Sequence, residues 1–172
     1  DTDERRRFAQ VSHEYLIEQL QFKNEGTGGS INLNFNHPVK ELIWSGIRSE
    51  ITTDGLKGFL YDRDPVAVAL TNTVQLKLNG HDRFKERDTR YFTRTQIWES
   101  HTGYGCTEVG DTIAVYSFAL KPEEHQPSGT CNFSRIDNAE LVQSAAQPVN
   151  IYAINYNVLR IMSGMGGLAY SN

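Results

Sequence analysis

A chain of 172 residues, 38% hydrophobic and 22% charged, is sized for a single domain. A globule of this length buries about 70% of the surface its unfolded chain exposes, so neither a metal nor a disulfide staple is required. Eight Phe, eight Tyr and two Trp argue against disorder, and a net charge of -4 supplies no bulk field to hold nucleic acid.

The chain opens on a helical pattern. Asp3 is placed to cap a short helix through Glu4, Arg5, Arg6, Arg7, Phe8 and Ala9. The period then changes to two. Leu16, Leu20 and Phe22 share one face of a strand over Tyr15 to Phe22, with Glu18 as the exception. Ile31, Leu33 and Phe35 alternate with Asn32, Asn34 and Asn36, the cleanest half-buried strand signal in the chain. The intervening Asn24–Ser30 stretch, with Gly26, Gly28 and Gly29, reads as a hairpin turn.

Val39 to Ile47 is a further strand, with Trp44 as a large core candidate. Val74, Leu76 and Leu78 alternate with polar residues up to Gly80. Thr89 to Glu99 carries Tyr91, Thr95 and Trp98 at helical spacing behind Asp88 as a cap. Ile113 to Leu120 is apolar on both faces, as in a central, doubly covered strand, and Asn132 to Val142 is a weaker strand. Asn150 to Ile161 is long and strong. The connections Ser49 to Pro65 and Gly80 to Thr112 are long for a compact domain. Seven or eight strands with one or two helices predict an all-β sandwich, an eight-stranded jelly roll with one or two short helices.

No catalytic constellation assembles from the motifs. The histidines His13, His37, His81, His101 and His125 are never spaced as H-x-H or H-E-x-x-H, which removes zincins and the usual cupin metal pattern. His81 with Asp82, and Asp62 with Asp64, read as polar loop residues beside Gly80 and Pro65 rather than as metal ligands. Gly164-Met165-Gly166-Gly167 has too few residues after it for the helix that a phosphate loop needs, so it reads as a glycine-rich tail lying close against something. Gly166 and Gly167 are expected to need positive φ or close backbone approach. No serine sits in G-x-S-x-G, and neither cysteine has a nearby histidine to activate it. Glu123, Glu124 and His125, between Pro122 and Pro127, read as an exposed loop.

Cys106 and Cys131 are too few for a cysteine zinc site and match the usage of a reducing compartment. Asn132-Phe133-Ser134 matches the N-glycosylation sequon on Asn132, at a strand start. No segment is apolar enough to span a bilayer, no signal peptide is visible, and Asp1 in place of Met points to a processed product or fragment. The expectation is therefore of no catalytic residues, no cofactor and no metal.

Two stretches go beyond pattern. Phe118-Ala119-Leu120-Lys121-Pro122-Glu123-Glu124-His125-Gln126-Pro127-Ser128-Gly129-Thr130-Cys131-Asn132-Phe133-Ser134-Arg135-Ile136-Asp137-Asn138-Ala139 resembles the signature of major capsid proteins of the nucleocytoplasmic large DNA viruses. Asn155 to Asn172 resembles their C-terminal end, and Asp3-Glu4-Arg5-Arg6-Arg7-Phe8-Ala9-Gln10 the stretch before their second jelly roll. The resemblance implies a chain of two jelly rolls, of which this sequence holds the C-terminal one. Residues 1–12 would be the short helical lead-in from the interdomain region and residues 13–172 the C-terminal jelly-roll domain.

It further implies a parent that forms homotrimeric, pseudo-hexagonal capsomers of an icosahedral shell of a double-stranded DNA virus. The implied partners are copies of itself, its own N-terminal jelly roll, neighbouring capsomers and minor capsid proteins, with no direct nucleic acid. The implied location is the virion, after assembly in the host cytoplasm. Tyr152, Tyr156, Gly166 and Gly167 become interface candidates, since the last strand is apolar on both faces, and the long loops candidates for an outer crown. The alternative is a carbohydrate-binding β-sandwich module, stacking sugars on Trp44, Trp98 or tyrosines; core packing is the favoured role for both Trp.

Overall fold

The computed structural model describes residues 1–25, 29–46, 73–103, 113–144 and 149–171. Helix α1 spans Thr2–Gln10 and is capped by the Asp1 carboxylate, which accepts from the Asp3 amide, two residues earlier than the cap expected from the pattern. Strands β1 (His13–Glu25), β2 (Ser30–Asn32), β3 (Pro38–Gly46), β4 (Thr73–Leu78) and β5 (His81–Asp88) follow. Asp88 Oδ1 then accepts from the Arg90 amide, and a π-helical turn (Tyr91–Thr95) runs into helix α2 (Gln96–Ser100). The rest comprises β6 (Ile113–Ser117), β7 (Cys131–Asn132), a 3-10 turn (Phe133–Arg135), β8 (Ala139–Gln143), β9 (Val149–Met162) and β10 (Met165–Leu168).

These strands form two antiparallel sheets. The first runs β1-β9-β3-β6, with β10 added to β9 and β7 to β3; the second runs β2-β8-β4-β5. Each sheet interleaves strands from both ends of the chain, which is the order of a jelly roll, and eight strands form its two four-stranded layers. The two short strands, β7 and β10, stand in addition to the eight expected.

The core lies between the layers. Leu42, Trp44, Ile151 and Ala153 from the first sheet meet Ile31, Val74, Leu76 and Leu141 from the second, all nearly inaccessible. Phe92, in the π-helical turn, joins the layers: its ring centroid lies 5.2 Å from Trp44 on one sheet and 5.2 Å from Phe84 on the other. Such tilted aromatic contacts add to the large area these side chains bury. Trp44 takes the core role expected of it. Trp98 does not: it is 74% exposed on α2.

Several expected elements differ. Within the stretch Gly80 to Thr112, the described residues hold β5, the π-helical turn and α2, and residues 104–112 lie outside them. Strand β5 escapes a periodicity search because only Phe84 among its eight residues is apolar, and the strand lies at a sheet edge with its side chains mostly in solvent. Strand β6 is the last of its row rather than central, ends at Ser117, and leaves Ile113 and the following Leu120 exposed. Asn132 to Val142 is broken by the 3-10 turn, and the ladder from Ile31 stops at Asn32, although Leu33 and Phe35 stay buried. Ser49 to Pro65, with Asp62 and Asp64, and Cys106 lie outside the described residues.

Glycine is required by geometry in the connection before β7. Gly129 has φ +144°, and a Cβ there would sit 2.8 Å from the Phe118 carbonyl oxygen. Gly129→Ala is expected to destabilise the fold by about 1–3 kcal/mol, read as a lower denaturation midpoint with unchanged slope. Phe92→Ala is expected to cost about 3–5 kcal/mol in the same measurement, because the void would separate two layers that share that ring.

Candidate interaction face and charge cluster

The first sheet has one face on the core and one turned away from it. Antiparallel register sets which residues project outward: Leu16 pairs with Val158, Leu20 with Ile154 and Phe22 with Tyr152. Leu20 and Phe22 are 63% and 55% exposed, and the Phe22 ring packs on Tyr152 at 5.0 Å. Tyr152 and Ile154 are half-buried, so an apolar strip runs across β1 and β9 on the outer side. Exposed large apolar residues in a contiguous strip mark an interaction surface more often than scattered ones do.

Beside that strip lies a cluster of charge. Between Val39 and Glu41 the β3–β9 register shifts by one residue, a bulge at Lys40. Without it, consecutive residues would face opposite sides of the sheet; with it, Lys40 and Glu41 both turn outward. Lys40 Nζ donates to Glu18 Oε1 at 2.7 Å and lies 5.6 Å from the centre of the Tyr156 ring. This explains the Glu18 exception in the apolar pattern of β1. Lys40 is nearly inaccessible and Glu18 about a third exposed. His125 Nδ1 stands 3.6 Å from the same Glu18 oxygen.

Glu41 faces the other way along the cluster. His101 Nε2 lies 3.0 Å from Glu41 Oε2, and His101 Nδ1 lies 3.3 Å from Glu123 Oε1. Burial pushes the Glu41 carboxyl above its ordinary value, against the opposing pull of His101 and Lys40. The Glu123 carboxyl is held below its ordinary value, first by the backbone N–H of Thr102 and then by its hydroxyl. The Glu123-Glu124-His125 run is the exposed loop expected of it, yet two of its members reach into this cluster. His101 carried no sequence signal, because its partners are 60 and 22 residues away.

The remaining named residues are placed as follows. Tyr156 is 5% exposed, and burial raises its phenol above the ordinary range. It is enclosed by the chain's own residues, whereas Tyr152 borders the open strip. Gly166 and Gly167 lie in β10, paired with Ile161 and Arg160, and are exposed. Neither shows the positive φ or close approach expected of it: a Cβ at Gly166 would meet only Ile161 Cγ1 at 3.8 Å, and at Gly167 nothing within 4 Å. The left-handed residues are Ser163 and Gly164, at φ 53° and 79°, which make the tight turn between β9 and β10. Asn132 is half-buried in β7, its side-chain Oδ1 accepting from the Ser134 amide, while Ser134 Oγ accepts from the His37 amide. Cys131 is a free thiol, half-buried, and burial pushes it up. Among the described residues, no group of three or more His, Cys, Asp or Glu is placed to hold a metal, and no helix is long and apolar enough to cross a membrane.

Fold and surface together define a jelly-roll sandwich whose outer sheet face carries an exposed apolar strip beside a charge cluster. Comparison with known proteins gives the family. Residues 4–167 match the family model described as large eukaryotic DNA virus major capsid protein. The whole chain aligns at 50% identity with 46% of the major capsid protein of Pyramimonas orientalis virus, and at 40% identity with 52% of that of Paramecium bursaria Chlorella virus 1. The quasi-atomic PBCV-1 virus capsid superimposes on the full chain with a TM-score of 0.75 at 37% identity, over 55% of that chain. The chain therefore belongs to the large eukaryotic DNA virus major capsid protein family, a family of structural rather than enzymatic proteins. It spans about half the length of the curated relatives it matches.

The Lys40–Glu18 pair generates an asymmetric prediction. Lys40→Met leaves Glu18 and the buried Glu41 carboxylate without their cation, whereas Glu18→Gln keeps an amide oxygen as acceptor for Lys40 with Glu41 still nearby. Lys40→Met is expected to cost on the order of 2 kcal/mol, below the roughly 3–5 kcal/mol of a fully buried pair, and Glu18→Gln less. Chemical denaturation of both variants checks the order.

Proposed function

We propose that this chain is the C-terminal jelly roll of a viral major capsid protein and that its outer sheet face is a packing surface in the shell. The observation that carries the reading is the whole-chain match to major capsid proteins at about half their length. On this reading the parent holds a second, N-terminal jelly roll, with residues 1–12 as the lead-in between the two. Three parents form a pseudo-hexagonal capsomer of an icosahedral shell, in contact with neighbouring capsomers and minor capsid proteins. The protein resides in the virion, assembled in the host cytoplasm. Nothing in a net charge of -4 favours a genome-condensing role.

The strip on β1 and β9 supports a contact through Leu20, Phe22 and Tyr152, because each large apolar side chain there gains about 1.5–3 kcal/mol when fully covered. Tyr156 contributes from beneath, by fixing Lys40. The open space at Gly166 and Gly167 fits a flat β10 surface against which another chain could lie closely. Asn132 is proposed as a glycan acceptor through Nδ2, its Oδ1 being held by the Ser134 amide.

Native mass spectrometry of the parent from its natural source tests the architecture. A subunit clearly heavier than 19.5 kDa that assembles in threes supports it, and a 19.5 kDa monomer with no larger parent rejects it. Phe22→Glu tests the face: capsomer yield is expected to collapse while the thermal midpoint of this chain alone stays nearly unchanged. Equal loss in both measurements would remove the face from the interface.

A further inference from the structure

We propose that His101, held between Glu41 and Glu123, is a proton-operated latch that ties the end of α2 to the outer face of the first sheet and releases it as pH rises. The inference concerns this chain alone and does not depend on the shell reading.

Both ring nitrogens of His101 face carboxylate oxygens, Nε2 at 3.0 Å and Nδ1 at 3.3 Å. A neutral imidazole has one N–H and one lone pair, so it can donate to only one of them. The other nitrogen would then present its lone pair to a carboxylate. Both contacts are favourable only when the group of three carries one further proton, on the imidazole or on the Glu41 carboxyl. Glu41, with 5% of its side chain exposed, is the acid that gains from holding a proton, while Glu123 is fixed as an anion by two hydrogen bonds from Thr102.

Three separate segments meet on this one ring. His101 closes α2, its own amide donating to the Ile97 carbonyl at 2.9 Å; Glu41 belongs to β3; Glu123 belongs to the connection between β6 and β7. The wider cluster shares the same dependence. Among the described residues, Glu18 from β1, Glu41 from β3 and Glu123 from the connection supply three carboxylates, against the permanent cation of Lys40 from β3. His125 faces Glu18, and Tyr156 from β9 lies under Lys40. This partly buried cluster therefore holds more carboxylates than permanent cations, and burial raises the Glu41 carboxyl so that it holds a proton more readily. A proton bound more tightly in the folded state stabilises at low pH, and that contribution is lost as pH rises through the folded titration. Below the depressed range of Glu123 the latch fails for the opposite reason, because its acceptor is neutralised.

Glu41→Gln replaces the shared proton with an amide N–H that can serve the lone pair of a neutral His101, while Nδ1–H serves Glu123. It is a closed latch that needs no extra proton. The test is hydrogen exchange, read by mass spectrometry, of segments 96–103 and 118–130 in the full chain. Wild type and Glu41→Gln are compared at each pH from about 6 to about 8.5, so that intrinsic exchange chemistry cancels in their ratio. Exchange in the wild type is expected to match the variant at the acidic end and to exceed it severalfold at the alkaline end. A ratio independent of pH overturns the latch. Should Glu41→Gln not fold, His101→Ala supplies the complementary arm. Wild type should be better protected than that variant at the acidic end and converge on it at the alkaline end, and a constant difference overturns the proposal.

Discussion

Strand β9 is hydrogen-bonded along both edges, to β1 on one side and to β3 and β10 on the other, and this pairing holds the first sheet together. Its residues must therefore suit two different environments in strict alternation. Ile151 and Ala153 enter the core, while Tyr152 and Ile154 project outward. Further along, Asn155 and Asn157 occupy inward positions with almost no exposure, where the apolar core ends. Asn155 accepts from Gln21 and donates to the Tyr156 carbonyl; Asn157 donates to Gln19 and to the Tyr170 carbonyl. Amides in such positions are tolerated because their hydrogen bonds are made within the chain. That layer closes the end of the sandwich in the register fixed by the β1–β9 pairing.

The bulge at Lys40 gives the same sheet a second character. By turning two consecutive charged residues to one side, it makes a cluster that β1, α2 and the β6–β7 connection all approach. The backbone takes part: the Lys40 carbonyl accepts from the Phe118 and Ala119 amides. Charge at this depth costs desolvation, offset only where each group has a partner in good geometry. The consequence is a sheet face divided between an exposed apolar strip and a polar cluster of paired charges.

Much of the fold was legible in particular residues. The alternation in Val74, Leu76 and Leu78, the long apolar run of β9 and the capped pattern after Asp88 all name their elements correctly, because a half-buried strand or short helix writes its period directly into hydropathy. Strand β5 was hidden for the converse reason. An edge strand with most side chains in solvent needs no apolar period, so HDRFKERD reads as a loop. Trp98 misled because a large aromatic is usually packed, and nothing local shows that α2 turns it to solvent. The family was legible in long unbroken stretches, which no composition or spacing argument could have supplied.

The sequence by itself determined the all-β class, most strand positions, the core role of Trp44 and the family, since each depends on local period or contiguous residues. Only the tertiary structure decided which apolar residues of β1 and β9 stay uncovered, and that His101 meets Glu41 and Glu123. Those facts depend on register and on a one-residue bulge. Pairing between strands well over a hundred residues apart sets the register, so a slip of one residue would exchange every inward side chain for an outward one. Local pattern records that a strand has two faces; the neighbours that fold against it decide what each face meets.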